Sequence, residues 1–239
     1  MAAEVGFLHG LRLEWMNKAM ELSLEEKDIN HLQQALNGYL AGMMKSEITR
    51  RKARSMLMDI WIRPQSTKPN LGDLRKHIHF AVQSATSTEL CAMQYALLLA
   101  SYPIFLDACS FIGKVTSIQD SFTTEWLNSR LYEKWGERQM INRAAQYILQ
   151  TLKDFDIIRS TGIGKHEIKV RPCDNSEVIR VLVMAVLGTK HSYVDLSDIT
   201  KSPELFPFSF MLSVEVLQSS PEFSLHMFGG KMTVALQGT

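Results

Sequence analysis

The chain has 239 residues, of which 46% are apolar and 21% are charged, and its formal net charge is +1. This composition is typical of a globular protein and excludes wholesale disorder and fibrous repeats. The small net charge excludes a protein that is basic throughout, but it does not exclude local basic patches.

Basic residues are concentrated in two blocks along the chain. Residues 45–76 carry nine basic and three acidic residues, and residues 121–171 carry nine basic and six acidic residues. The other three segments, 1–44, 77–120 and 172–239, are each net acidic. Binding of nucleic acid is therefore limited to these two basic blocks, separately or on one surface, whereas the acidic C-terminal part is better suited to contact another protein.

The N-terminal ten residues contain neither a basic region nor a long apolar core, so they do not predict a secretory signal. The three cysteines, Cys91, Cys109 and Cys173, are widely and irregularly spaced and belong to no CxxC motif. We expect them to be reduced and mostly buried in a cytoplasmic protein.

The first half of the chain has the apolar spacing of helices. Within it, the stretch 91–113 is apolar enough to be mistaken for a membrane span, but Pro103 interrupts it and Gln94 and Asp107 are polar. We therefore expect two buried helices that meet at Tyr102 and Pro103, and no membrane insertion. The predicted helices of this half cover residues 24–44, 46–62, 74–83, 88–101 and 104–114.

The segment 121–171 has the element order of a winged helix-turn-helix. Ser121 and Thr123 are good N-caps for a helix over 124–135, and Gly136 separates it from a second helix over 137–155. A TGIG turn at 161–164 then separates the strand residues 157–160 from an alternating strand over 165–171. The apolar face of the second helix consists of Ile141, Ala144, Ala145, Ile148 and Leu152.

The C-terminal part repeats this order in a weaker form. Helices are predicted over 176–187, 196–200 and 203–218, and two alternating runs within 221–237 flank Gly229-Gly230, a strong hairpin signal. The sequence thus predicts a mainly α protein with a helical domain (1–120), a winged helix-turn-helix (121–171) and a second, winged-helix-like unit with a β-hairpin (172–239).

The polar face of the helix over 137–155 is the best candidate for DNA recognition. Arginine and side-chain amides can read base edges in the major groove, mostly from the N-terminal part of a recognition helix. The wing adds cations that could meet phosphates. The candidates are Arg138, Gln139, Asn142, Arg143 and Gln146 on the helix, and Lys165, His166, Lys169 and Arg171 on the wing. The alternative is a solvated helix face on a domain used for protein assembly.

The other basic block contains Arg51 and Lys52, which should point away from the apolar side of their helix. The default interpretation is that they belong to a run of charged residues on the surface. The more specific hypothesis is that they make a supplementary contact with phosphate.

Motifs of enzymes and metal sites are poorly represented. The TGIGK run at 161–165 lacks the spacing of a phosphate-binding loop. His77 and His79 have no carboxylate or cysteine beside them in the sequence that would complete a metal site. An enzyme would need an active site assembled from scattered residues such as His77, His79 and Asp107. We predict no catalytic residue, metal, cofactor or small-molecule substrate.

Three stretches of the chain resemble the BrxA family, small accessory proteins of bacterial BREX phage-defence systems. They are LLLASYPIFLDACSFIG (97–113), FTTEWLNSRLYEKWG (122–136) and INRAAQYILQTLKDFDIIRS (141–160), and the likeness covers about residues 45–171. Asp156 stands where a glycine is commoner in that family. The resemblance implies a non-enzymatic accessory protein that binds double-stranded DNA and acts with larger methyltransferase and ATPase partners. The alternative is a protein–protein adaptor whose winged domains dock on a larger enzyme.

Overall fold

The computed structural model describes residues 5–26, 28–63, 69–190 and 192–237. These residues form eleven α-helices and eight short strands, so the protein is mainly helical with small sheets. The helices are α1 (Leu13–Glu25), α2 (Ile29–Ala41), α3 (Glu47–Trp61), α4 (Pro69–Ala81), α5 (Ser87–Ser101), α6 (Pro103–Thr116), α7 (Thr124–Trp135), α8 (Gln139–Asp154), α9 (Ser176–Lys190), α10 (Leu196–Ile199) and α11 (Val214–Gln218). The strands are β1 (Ser121–Thr123), β2 (Ile158–Gly162), β3 (Lys165–Ile168), β4 (Arg171–Pro172), β5 (Val194–Asp195), β6 (Phe208–Ser209), β7 (Phe223–Phe228) and β8 (Lys231–Leu236).

Helix α5 forms the centre of the hydrophobic core. Every residue from Cys91 to Leu99 is buried, and the helix packs against α1, α3, α4, α6 and α9. Tyr102 separates α5 from α6, and the two axes differ in direction by 117°. The predicted pair of buried helices is therefore confirmed, and among the described residues no single helix is long and apolar enough to span a membrane.

Two three-stranded sheets share one topology. The first has the order β1–β3–β2 and the second has the order β5–β8–β7, and all pairs are antiparallel. In each sheet a hairpin follows two helices, and its second strand pairs with the short strand that precedes those helices. The predicted hairpin across Gly229-Gly230 is confirmed, since both glycines have positive φ angles (56° and 79°), as its tight turn requires.

Two predicted helices are wrong. The one over 24–44 is interrupted because Asp28 accepts hydrogen bonds from the backbone N–H groups of Asn30 and His31, which starts α2 separately from α1. The one over 203–218 is divided into a 3₁₀ turn (Pro203–Leu205), β6 and α11. Pro207 lies inside that range, and a proline disrupts a helix interior.

A parallel pair of short strands forms a third, two-stranded sheet. Arg171 and Pro172 in β4 align with Phe208 and Ser209 in β6. The predicted strand over 165–171 therefore ends early, because the backbone N–H of Arg171 donates to the carbonyl of Pro207 (2.8 Å). One hydrophobic core continues through all three predicted segments, while the division at 120 and 171 stays a prediction.

Candidate nucleic-acid interface

Helix α8 is held by its apolar face. The predicted residues Ile141, Ala144, Ala145, Ile148 and Leu152 are all buried, and the helix packs against α6, α7 and β2. Thr123 starts α7 by accepting a hydrogen bond from the N–H of Trp126 (3.1 Å). Gly136, with φ at 83°, ends α7 and redirects the chain into α8. The sequence thus orients α8 so that its polar side faces solvent.

The polar side of α8 begins with amides and one free arginine. Gln139, Arg143 and Gln146 are exposed, and Asn142 is half-buried. The Asn142 side-chain oxygen accepts hydrogen bonds from the amides of Gln146 (3.2 Å) and Asn128 (3.4 Å). Arg143 forms no hydrogen bond or ion pair with any described residue, so its guanidinium is available to a ligand.

Arg138 is less available than the sequence suggests. It occupies the N-cap position of α8, it is half-buried, and its guanidinium donates to the carbonyl of Trp135 (2.9 Å). The charge therefore sits at the C-terminus of α7, where a cation is favourable. This role limits the reach of Arg138 towards a bound molecule.

The lysines and the arginine that the sequence predicts on the wing, Lys165, Lys169 and Arg171, differ in their pairing. Lys165 is exposed and forms no ion pair with the described residues. Lys169 and Arg171 both bind the carboxylate of Asp156, Arg171 at 2.8 Å. The hydrogen bond from Lys169 is the main reason why the pKa of Asp156 is lowered. Lys165 is thus the hairpin cation most ready to meet a phosphate.

The expectation that His166 meets phosphates is wrong. Its side chain is only 2% exposed, because β3 pairs with β1 and places His166 opposite Phe122. One ring nitrogen, Nε2, lies 2.9 Å from the hydroxyl of Thr124, and Nδ1 is buried with no hydrogen-bond partner among the described residues. Burial, and secondarily the charge of Lys153, lowers the pKa of His166.

The sequence did not reveal that residues 9–13 run along the second half of α8. The backbone N–H of Leu11 donates to the Thr151 hydroxyl (2.9 Å), and that of Leu13 donates to Asp154 (2.8 Å). The ring of His9 stacks on Tyr147 at 5.6 Å. This segment has no periodicity that would predict such a position. It leaves the first half of α8 as the more open part of the helix.

A small cavity lies between the start of α7 and the second half of α8. It measures about 250 Å³ and is lined by Thr124, Gln146, Leu149, Gln150 and Lys153. In the first turn of α7 the N–H of Thr124 already donates to the carbonyl of Gly164 (2.8 Å) and that of Trp126 to the hydroxyl of Thr123 (3.1 Å). The group at this cavity that could meet a phosphate is therefore the exposed ammonium of Lys153.

The second basic block belongs to a different group of helices. Helix α3 packs against α1, α2 and α5 and buries Ala53, Leu57 and Trp61. Arg51 is exposed and Lys52 is half-buried. Contact of these two residues with the same ligand as α8 stays a prediction.

The scattered residues that an enzyme would require are not brought together. His77 lies 2.8 Å from Glu222, and His79 stacks on Trp61 at 5.3 Å. Asp107 accepts hydrogen bonds from Lys134 (2.7 Å) and Trp135 (2.9 Å). Within the described ranges no group of three or more His, Cys, Asp or Glu residues is placed to hold a metal ion.

The chain matches no protein-family model, no curated protein and no solved structure. A function must therefore be argued from the residues themselves.

Proposed function

We propose that this protein binds double-stranded DNA through a winged helix-turn-helix formed by α6, β1, α7, α8 and the β2–β3 hairpin. The element order and the strand order β1–β3–β2 support this proposal, because in such a domain the second helix of the turn is the one that reads the major groove. Helix α8 has that position.

The observation that carries the proposal is the composition of the open half of α8. Gln139, Arg143 and Gln146 are exposed on one side of the helix, and Arg143 has no partner among the described residues. Arginine can bind guanine and side-chain amides can bind adenine, each through two hydrogen bonds. Asn142, half-buried beside Gln146 (3.2 Å), would position that amide.

The backbone of the duplex would be held by cations that lie next to α8. Lys165 extends from the hairpin, and Lys153 lies beside the cavity at the start of α7. Lys169 and Arg171 already bind Asp156, so we expect them to contribute less. Such contacts give affinity that falls as salt rises, because bound cations release counterions from DNA.

The proposal is tested by measuring duplex binding with fluorescence anisotropy over a range of salt concentrations. Arg143→Ala should weaken binding by about 1–3 kcal/mol, because it removes a base contact. Lys165→Ala should weaken binding to all sequences and reduce the slope of log K against log salt by about 0.9. Absence of binding by the wild type at low salt would contradict the proposal.

Lys231→Ala is the matched control for Lys165→Ala. Both lysines directly follow a hairpin turn, but Lys231 belongs to the second hairpin and binds Asp195 at 3.1 Å. We expect this control to leave duplex affinity and its salt slope unchanged. Equal losses in the two variants would indicate general charge attraction and not a defined interface.

A protein–protein adaptor is the second candidate function. The observation that favours it is a cavity of about 410 Å³ between α6, β3 and the segment 200–210, which is partly apolar and includes Phe206, Phe210 and Val170 in its lining. An adaptor would retain its partner after charge reversal at Arg138, Arg143 and Lys165 and would have no affinity for DNA. Pull-down with that triple variant separates the two functions.

The resemblance to BrxA proteins suggests a phage-defence system as the setting of the proposed activity. A DNA-binding accessory subunit would then bring duplex DNA to larger enzymes of the same system. Deletion of the gene and complementation with Arg143→Ala, scored by phage plating, tests this role separately from DNA affinity.

A further inference from the structure

The outer edge of β7 is open to another strand. β7 lies at the end of the order β5–β8–β7 and pairs with β8 in unbroken register from Phe223↔Leu236 to Phe228↔Lys231. The hydrogen bond from the Gln237 N–H to the Glu222 carbonyl (2.8 Å) identifies the hydrogen-bonded pairs of this ladder. Because such pairs alternate, Leu225 and Met227 direct their backbone groups away from β8.

No other part of the described chain occupies this edge near its tip. Apart from the β7–β8 ladder, no described residue forms a hydrogen bond with the backbone of Leu225 or Met227. Their four N–H and C=O groups are therefore left for solvent or for a partner strand. The adjacent side chains are exposed and apolar: Met227 is 65% exposed and Phe228 is 80% exposed.

The other hairpin shows how an edge strand is normally protected. β2, at the edge of the first sheet, carries Arg159 and has a register irregularity between Ser160 and Gly162. Charged residues and bulges of this kind prevent edges from pairing with other chains. β7 (FSLHMF) has no charged residue, no proline and no register irregularity. Its edge therefore lacks the features that would prevent association.

We propose that β7 pairs antiparallel with β7 of a second copy of this chain, about a two-fold axis at His226. In this register Leu225 of each copy faces Met227 of the other, so all four free backbone groups of each strand form hydrogen bonds. The two sheets become one continuous six-stranded sheet. The sequence of the strand favours a second copy as the partner, because it contains no Asp, Glu, Lys or Arg that would oppose its own copy and because the two-fold axis matches Leu225 with Met227 on both sides.

The register predicts which cysteine substitutions can form a disulfide between copies. The two His226 residues face each other as a non-hydrogen-bonded pair, in which Cα atoms are about 4.5 Å apart. That distance is compatible with a disulfide. Phe228 faces Ser224 of the second copy, so two Phe228 positions are too far apart to be bridged. The three native cysteines are buried and should give little background.

Light scattering and mild oxidation of the full chain without DNA test the proposal. We expect a particle of twice the 27.2 kDa mass of one chain, and covalent dimers from His226→Cys but not from Phe228→Cys. A monomer at all concentrations up to the highest soluble one would overturn the proposal. Cross-linking of Phe228→Cys in preference to His226→Cys would overturn the two-fold axis at His226.

A pair of matched charge substitutions tests the surface itself. Met227→Lys introduces charges on both sides of the axis and should shift the particle to a monomer. Met211→Lys, at a methionine that is 90% exposed elsewhere, should leave the dimer intact. A Met227→Lys dimer as stable as the wild type would contradict pairing through β7. Because no DNA is present, this result is independent of the proposed DNA binding.

Discussion

Replacing Gly113 by alanine should destabilise the contact between α6 and the C-terminal part of the chain. A Cβ atom at this position would lie 2.6 Å from the carbonyl carbon and 3.0 Å from the Cα of Pro203, with the carbonyl oxygen closer still. Carbon atoms in contact are normally about 3.5–4.0 Å apart. The opposing atoms are backbone, so the 3₁₀ turn Pro203–Leu205 would have to move by about 1 Å. That turn is also held by a hydrogen bond from the Tyr95 hydroxyl to the Glu204 carbonyl (2.6 Å).

The size of the effect follows from two opposing contributions. Overpacking a well-packed region costs about 1–3 kcal/mol, and a backbone clash belongs at the upper end of that range. Alanine in place of glycine in a helix contributes a stabilisation of about 1 kcal/mol. We therefore expect Gly113→Ala to lower the free energy of unfolding by about 2 kcal/mol.

Gly38→Ala is the matched control, measured with Gly113→Ala by urea denaturation followed by circular dichroism. Gly38 also lies inside a helix, α2, but apart from its chain neighbours and the backbone of that helix no atom of the described residues lies within 4 Å of the position that a Cβ would take. This variant should therefore be more stable than the wild type by up to about 1 kcal/mol. If both variants are stabilised equally, the close packing of α6 against Pro203 does not exist.

Three further changes test the environment of α8. Thr151→Val should lower the free energy of unfolding by about 1–3 kcal/mol, because the buried N–H of Leu11 loses its acceptor (2.9 Å). Thr151→Ser keeps the hydroxyl and should lower that free energy by less. Equal losses in the two variants would exclude the hydrogen bond as the cause. The pKa of His166 is lowered in the folded protein, so the unfolded chain takes up a proton first as pH falls below about 6.5. The free energy of unfolding should therefore decrease below that pH. His166→Gln should make this decrease smaller in urea titrations at several pH values. Gly136→Ala should lower the melting temperature, since φ at 83° with ψ at 151° is strained for any residue with a Cβ; an unchanged melting temperature would contradict this turn geometry.

Elements with strong local signals could be predicted from the sequence. Helix α7 begins after Thr123 and ends before Gly136, as predicted, because a capping hydroxyl and a glycine act on their immediate neighbours. The apolar face of α8 was equally predictable from its 3.6-residue spacing. The prediction of one helix over 203–218 was wrong because this range is divided among separate elements, of which β6 pairs with β4.

The availability of the candidate site residues could not be predicted in the same way. Arg143 and Lys165 form no ion pair with any described residue, whereas Lys169 and Arg171 bind Asp156 and His166 is buried opposite Phe122. These five residues look alike in the sequence, since each is a basic residue on a predicted helix or hairpin. Their different states depend on which distant residue the fold brings beside each one.

The sequence by itself determined the mainly helical character of the chain, the two charged blocks and the apolar face of α8. These properties depend on residue type and on spacing over a few positions. Only the tertiary structure decided that residues 9–13 lie along α8, that the two sheets share one strand order and that the described residues leave the outer edge of β7 open. Such features arise from contacts between residues far apart in the chain, and a linear pattern does not specify which surfaces those contacts bury.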